Sequence, residues 1–147
     1  MTVAQVMRKE VVSVPPEAAV MEANELMVRN RISGLPVVNE ASELVGFISQ
    51  GDIIRSLLPR YAEICDDERY ERDFEFMEAR AQSVRRTTVR DVMTTGAIAV
   101  AEDIPVLKAL AVMQLKRVKR LPVVRQGKLV GIISRGDICA ALPGQER

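Results

Sequence analysis

Hydrophobic positions recur in the same order in the two halves of the chain. The stretch VMRKEVVSVPPEAAVMEANELMVRNRISGLPVV, which begins at Val6, aligns with VMTTGAIAVAEDIPVLKALAVMQLKRVKRLPVV, which begins at Val92, 86 residues later. The offset falls to 85 residues for GFISQGDI, which begins at Gly46, and GIISRGDI, which begins at Gly131. A similarity that keeps its offset over this length indicates an internal repeat of one supersecondary unit.

Each copy predicts the same order of elements. A short extended segment leads into a helix whose apolar residues recur at helical spacing, and two strands and a second helix follow. The extended segments are 11–14 and 97–100; the apolar helix positions are Val20, Ala23, Leu26 and Met27, and Val106, Ala109, Leu110 and Met113; the strands are 35–38 and 44–48, and 121–124 and 129–133; the second helices begin at Asp52 and Asp137. The strands are nearly continuous apolar runs, as in sheets covered on both faces. One copy, at about 55 residues, is small for a core of its own, so the two copies are expected to pack sheet to sheet about a pseudo-twofold axis.

Residues 57–88 belong to neither copy. Within them Tyr70, Phe74, Met77, Ala81 and Val84 follow a 4-3-4-3 spacing among charged residues, which predicts an amphipathic helix. Two interpretations stay open: a linker helix packed on its own module, and a dimer contact.

The predicted organisation is a first repeat at 1–56, the inserted helix at 57–88, a second repeat at 89–142 and a tail at 143–147. The predicted fold class is α/β (α+β), with two pseudo-symmetric repeats, each a small β-sheet with two packed helices.

Composition narrows the functional classes. The chain has 147 residues, 48% of them hydrophobic and 28% charged, with a formal net charge of +1. This balance and an aromatic content of 3% make nucleic acid an unlikely partner. The absence of histidine removes the usual general base, and no phosphate-binding glycine motif or metal spacing occurs, so no enzymatic activity and no required cofactor or metal are predicted.

Localisation follows from what the sequence lacks. It has no signal-peptide pattern and no apolar run long enough to span a membrane, so a cytoplasmic protein without membrane contact is predicted. Cys65 and Cys139 have no metal-binding spacing, and Cys139 lies in an apolar run. They are expected to be free thiols that are buried or partly buried.

A serine and an aspartate recur at the start of the second helix of each copy, as Ser49 and Asp52 and as Ser134 and Asp137. Their spacing predicts a capping box, in which the serine oxygen and the carboxylate satisfy backbone amides at the helix start. A capping box does not require the glycine that precedes each aspartate; a tight backbone turn would.

The repeated order of VM, hhPVV and G-h-h-S-x-x-D-h, where h is hydrophobic, resembles the cystathionine-β-synthase (CBS) domain, two of which form a Bateman module. The resemblance covers almost the whole chain outside the insertion and the last residues. It implies that Ser49, Asp52, Ser134 and Asp137 bind ribose hydroxyls, each carboxylate accepting two hydrogen bonds from a cis-diol. It also implies that the backbone before the first strand contacts adenine, at Ser13, Ile32, Ser33, Gly34, Pro36, Ala97, Ile98, Val118 and Pro122.

The resemblance also implies that Lys119 and Arg120 face phosphate, a role that suits them because both can form charge-assisted hydrogen bonds with it. The alternatives are that these two residues are simply solvated and that Pro36 and Pro122 only begin strands. The resemblance further implies that each site is crossed, taking its serine–aspartate motif from one repeat and its pre-strand residues from the other. The first site would combine Ser49 and Asp52 with Ala97, Ile98, Val118, Lys119, Arg120 and Pro122. The second would combine Ser134 and Asp137 with Val12, Ser13, Ile32, Ser33, Gly34 and Pro36. The first would be basic and the second would not, unless Arg135 reaches the phosphate.

The sequence thus predicts a regulatory module that binds AMP, ADP or ATP, or S-adenosylmethionine, in clefts between the repeats. It would signal to an unknown regulated protein through a change in the arrangement of the repeats or of a homodimer. The alternative is a structural module that binds no ligand, dimerises and docks a partner enzyme or transporter.

Overall fold

The computed structural model describes residues 1–57, 78, 82–83 and 85–143. The helices are α1 (Val3–Val6), α2 (Val20–Asn30), α3 (Gln50–Leu57), α4 (Val89–Val92), α5 (Val106–Lys116) and α6 (Arg135–Ala141). The strands are β1 (Gly34–Val38), β2 (Leu44–Ser49), β3 (Thr94–Thr95), β4 (Val100–Ala101), β5 (Arg120–Arg125) and β6 (Lys128–Ser134). The predicted mixed α/β class is confirmed, whereas the helix predicted within the insertion lies outside the described residues.

The strands form two three-stranded sheets, β1-β2-β3 and β4-β5-β6. β2 pairs antiparallel with β3, and β5 pairs parallel with β4 and antiparallel with β6. Two single bridges repeat pairings that are found in the other sheet. The bridge between Arg8 and Ile132 corresponds to the pairing of Thr94 with Phe47. The bridge between Val14 and Val37 corresponds to the pairing of Val100 with Val123. Within the segment predicted to be extended at 11–14, Val14 forms this single bridge.

The chain divides into two compact units that do not coincide with the sequence repeats. Unit 1 contains Met1–Val12, Val38–Leu44 and the described residues of Gly96–Arg147, and unit 2 contains Ser13–Val37 and the described residues of Val45–Thr95. The opening segment of each repeat thus belongs to the unit that holds the body of the other. The predicted repeat boundaries stay a prediction about the sequence.

We call these two opening segments, which belong to the unit that holds the body of the other repeat, the exchanged segments. Each begins with a capped helix that is anchored by one buried valine. The Gln5 side chain accepts a hydrogen bond from the Thr2 amide before α1, and Asp91 does the same for Thr88 before α4. Val3 and Val89 are both fully buried. Full burial of such an aliphatic side chain stabilises the fold by roughly 1.5–3 kcal/mol, and it ties each four-residue helix to the core of its unit.

The apolar helix faces predicted from the sequence supply both cores. In unit 1 the buried cluster consists of Val3, Val100, Val106, Ala109, Met113, Leu121, Val123, Ile133 and Ile138. The buried apolar residues of unit 2 are Val14, Ala18, Val20, Ala23, Met27, Leu35, Val37, Ile48, Ile53 and Val89. In both copies the helix and the strand pair therefore present equivalent residues to the core.

One sequence expectation is wrong. Cys139 is a free thiol, but it is exposed rather than partly buried. α6 turns its neighbour Ile138 into the core, and adjacent helical positions lie about 100° apart, so Cys139 faces outward. None of the helices in the described residues is long and apolar enough to cross a membrane.

Candidate functional site

In unit 2 the predicted capping box is present at the start of α3. The Ser49 amide donates to Asp52 Oδ2 at 2.9 Å, and the Asp52 amide donates to Ser49 Oγ at 3.1 Å. The other carboxylate oxygen, Oδ1, accepts a 2.6 Å hydrogen bond from Nη2 of Arg55, one turn along the same helix. This motif therefore holds its carboxylate in a fixed orientation at the end of β2.

Unit 1 repeats the arrangement with one additional hydrogen bond. Asp137 Oδ2 accepts from the Ser134 amide at 2.9 Å and from the Ser134 hydroxyl at 2.7 Å. The Asp137 amide donates to Ser134 Oγ at 3.1 Å, and Arg8 Nε donates to Asp137 Oδ1 at 2.9 Å. The predicted capping boxes are thus confirmed in both copies.

The charge on Asp137 is stabilised by these partners. Burial alone would raise the pKa of this carboxyl, but the hydrogen bonds from Ser134 and Arg8 and the positive charge of Arg8 outweigh it, and the pKa lies below its ordinary value. Asp137 is consequently an acceptor of hydrogen bonds at neutral pH, as a contact with ribose hydroxyls requires.

The two arginines occupy unrelated sequence positions. Arg8 aligns with Thr94 in the second copy, and Arg55 aligns with Ala140 in the second copy. Arg55 could have been found from its i, i+3 spacing to Asp52 on a predicted helix. Arg8 could not, because 129 residues separate it from Asp137 and no repeated pattern marks it.

The segment before each first strand lies next to the serine–aspartate motif of its own repeat. The Gln50 amide donates to the Ser33 carbonyl at 2.9 Å in unit 2, and the Arg135 amide donates to the Lys119 carbonyl at 3.1 Å in unit 1. Arg120 is paired with Ser134 across β5 and β6. These two contacts therefore join motifs of the same repeat, and the crossed combination expected from the resemblance stays a prediction.

The ends of α2 and α5 direct the chain into these segments. Arg31 and Arg117 adopt left-handed conformations with φ of 54° and 56°. The Ile32 amide then donates to the Met27 carbonyl at 3.0 Å, and the Val118 amide donates to the Met113 carbonyl at 2.9 Å. This closing turn satisfies helix carbonyls and fixes where the pre-strand residues begin.

One charge difference between the two pre-strand segments, Gly34 against Arg120, has a steric reason. A Cβ atom at Gly34 would lie 2.5 Å from Cε1 of Phe47, so the phenylalanine ring leaves no space for a side chain. In the second copy the aligned residues are Arg120 and Ile132. Lys119 is exposed and Arg120 half-buried, so both basic side chains can meet solvent in unit 1.

The other residues implied by the resemblance fall into two groups. Pro36 and Pro122 are buried within strands, so their side chains serve packing, although the Pro36 carbonyl accepts a hydrogen bond from the Val14 amide at 3.2 Å. Ser13, Ala97 and Val118 are half-buried and Ser33 is exposed, as is Ile98 at 38%. These five residues, unlike the prolines, have side-chain surface that a ligand can reach.

The glycine before each aspartate is not explained by a tight turn. Gly51 and Gly136 lie inside helices, and among the described glycines only Gly96 and Gly127 have positive φ. A Cβ atom at Gly136 would meet Ser134 Oγ at 3.7 Å, which is ordinary contact. The missing side chain therefore leaves open space beside the serine hydroxyl.

Among the described residues no cluster of side chains could hold a metal ion.

Comparisons with known proteins agree with this arrangement. A family model for the CBS domain matches residues 3–59 and 89–144. The uncharacterized protein MJ1426 of Methanocaldococcus jannaschii is 33% identical, over 97% of this chain and 91% of that protein. The chloroplastic CBS domain-containing protein CBSX1 of Arabidopsis thaliana is 33% identical over 87% of this chain, and the match spans 57% of CBSX1.

Among solved structures, CBSX2 in complex with AMP matches with a TM-score of 0.75 and 29% identity, over 99% of this chain and 98% of that one. CBSX2 is also an Arabidopsis thaliana protein. The resemblance drawn from the repeated motifs is therefore confirmed in both copies. The chain belongs to the CBS domain family.

Proposed function

We propose that this chain is a regulatory module that binds an adenosine-containing ligand of the AMP, ADP or ATP class through its two serine–aspartate motifs. The observation that supports it most is the duplicated carboxylate held at the start of α3 and α6. Each carboxylate accepts a hydrogen bond from the backbone amide of its serine, and each is paired with one arginine side chain. An ionised carboxylate in a fixed orientation suits a cis-diol, because each hydroxyl donates one hydrogen bond.

AMP is the first ligand to test. CBSX2, at 29% identity over almost the whole chain, was solved in complex with AMP. Lys119 and Arg120 supply positive charge beside Ser134, as a ligand phosphate requires. The open space beside Gly136 gives a sugar room to approach the serine hydroxyl. S-adenosylmethionine shares the ribose but carries a single carboxylate in place of phosphate, so its affinity should depend less on the two basic residues.

Signalling requires that the ligand bind one arrangement of the protein more tightly than another. A coupling free energy of about 1–3 kcal/mol, which is typical of allosteric proteins, would suffice. We propose that the arrangement of the repeats, or of two copies of the chain, is what changes, and that a partner protein in the cytoplasm responds to it.

A calorimetric titration tests the proposal. AMP, ATP and S-adenosylmethionine are titrated into the wild type and into Asp52→Ala, Asp137→Ala and Asp91→Ala. Asp91 has the same capping role in α4 but lies outside the two motifs, so its variant controls for the loss of a helix cap. We expect Asp52→Ala and Asp137→Ala each to lose binding that Asp91→Ala retains. An absence of binding by the wild type, or equal losses in all three variants, would contradict the proposal.

One observation favours a second function. Val28 and Leu107 are exposed at 64% and 61%, and Leu115 is exposed at 78%. Exposed aliphatic residues on α2 and α5 are suited to a protein contact, which supports a homodimer or a docking module. Light scattering of the wild type and of Leu115→Glu distinguishes these: a dimer disrupted by the substitution supports self-association, and a monomer in both proteins contradicts it.

A further inference from the structure

The two carboxylates differ in how many of their acceptor positions are already used. An ionised carboxylate has about four such positions. Asp137 uses three of them, for the Ser134 amide, the Ser134 hydroxyl and Arg8. Asp52 uses two among the described residues, for the Ser49 amide and Arg55.

A cis-diol that donates two hydrogen bonds needs two free positions. Asp52 has both, so a ribose can bind there while Arg55 stays in place. Asp137 has one, so a ribose must displace either the Ser134 hydroxyl or Arg8. The Ser134 bond is partly buried, whereas the Arg8 side chain is 73% exposed. An exposed ion pair contributes little free energy, and Arg8 is therefore the partner that gives way.

We infer that Arg8 is a specificity-determining residue that weakens the binding of a cis-diol to the Asp137 motif, so that the Asp52 motif fills first. This inference rests on the proposed function, because it concerns how the two proposed ribose sites are occupied. Arg8 belongs to the exchanged segment of unit 1, whose backbone is held by its bridge to Ile132. Its guanidinium can therefore leave Asp137 without moving the chain, and binding at this motif releases it.

The predicted difference can be measured one motif at a time. Asp52→Ala leaves only the Asp137 motif, and Asp137→Ala leaves only the Asp52 motif. Adenosine is the probe, because it carries the cis-diol without a phosphate that the arginine charge would attract. Adding Arg8→Met to Asp52→Ala should tighten adenosine binding roughly two- to fivefold, the scale of a lost exposed ion pair. Adding Arg55→Met to Asp137→Ala should change it less than twofold.

Three controls separate the effect of Arg8→Met on diol binding from its effects on charge and on folding. 2′-Deoxyadenosine lacks the cis-diol and should show no gain from Arg8→Met. Arg125→Met removes an equal charge from the ion pair with Glu102 in the same unit, and it should leave the affinity for adenosine unchanged. Circular dichroism establishes that Arg8→Met is folded, and Arg8→Gln replaces it if it is not.

The outcomes separate the two proposals. If adenosine binds through Asp137 but Arg8→Met does not tighten it, or if Arg55→Met gives an equal gain at Asp52, the inference is overturned and the proposed function stands. If neither adenosine nor AMP binds to the wild type or to any variant, the proposed function fails and the inference fails with it.

Discussion

A side chain at Gly131 in β6 should destabilise the protein, because the exchanged segment of unit 1 pairs with this strand and passes close to the glycine. A Cβ atom there would lie 2.5 Å from Sδ of Met7 and 3.0 Å from the carbonyl oxygen of Arg8. The sulfur is at the end of a flexible side chain and can move aside. The carbonyl cannot, because it accepts from the Ile132 amide at 2.9 Å while the Arg8 amide donates to the Ile132 carbonyl at 2.9 Å.

The cost of Gly131→Ala follows from these contacts. Separating the two chains weakens two backbone hydrogen bonds, each with a net contribution of about 1 kcal/mol. The lower entropy that alanine gives the unfolded chain returns about 0.4–1 kcal/mol. We therefore expect a net loss of roughly 1–1.6 kcal/mol, which for a chain of this size lowers Tm by about 2–6 °C.

Urea denaturation followed by circular dichroism measures the loss, and hydrogen exchange at the Arg8 and Ile132 amides locates it. Gly136→Ala is the matched control, since its Cβ atom has room in α6 and alanine favours a helix over glycine by roughly 0.5–1 kcal/mol. Gly136→Ala should therefore be more stable than the wild type. If Gly131→Ala is as stable as the wild type, with unchanged exchange at both amides, the close approach of the exchanged segment to Gly131 is refuted.

Three further predictions concern packing and charge. Gly34→Ala should lower the free energy of unfolding by about 1–3 kcal/mol, because its Cβ atom would meet the Phe47 ring. In a double-mutant cycle, Phe47→Ile in the same chain should recover part of that loss, and additive effects of the two substitutions would contradict the contact. Asp137 has a lowered pKa in the folded protein, so its contribution to stability is complete above the ordinary value of 3.8 and is lost as the pH falls through the lower folded value. An acid titration should then show the stability advantage of the wild type over Asp137→Asn shrinking below pH 3.8, and a constant difference would contradict it. Met113→Ala removes a fully buried side chain and should cost about 2–5 kcal/mol in urea denaturation, whereas a cost below 1 kcal/mol would mean that the unit 1 core collapses around the cavity.

Much of the local structure could be predicted from the sequence, because it depends on residues close together in the chain. The apolar spacing of α2 and α5 identified the buried residues Val20 and Met113. The serine–aspartate spacing predicted both capping boxes, and their repetition identified the family.

The long-range contacts could not be predicted in the same way. Both copies begin with the same Val-Met pattern, so the sequence fits equally well whether an opening segment packs on its own copy or on the other. The pairing of Arg8 with Asp137 depends on that exchange. The absence of a basic residue at Gly34 depends on the ring of Phe47, which no periodicity relates to it.

The exchange of opening segments also sets the order in which the chain can fold. During synthesis the body of the first repeat leaves the ribosome long before α4, whose Val89 amide donates to the Ala18 carbonyl at 2.8 Å. At about 5–20 residues per second, this delay lasts several seconds. Closing so long a loop also slows folding, because its entropy is lost before the native contacts form. Unit 2 should therefore stay incomplete until α4, at the start of the second repeat, has been synthesised. A chain cut between the repeats should then yield two fragments that fold only when they are mixed.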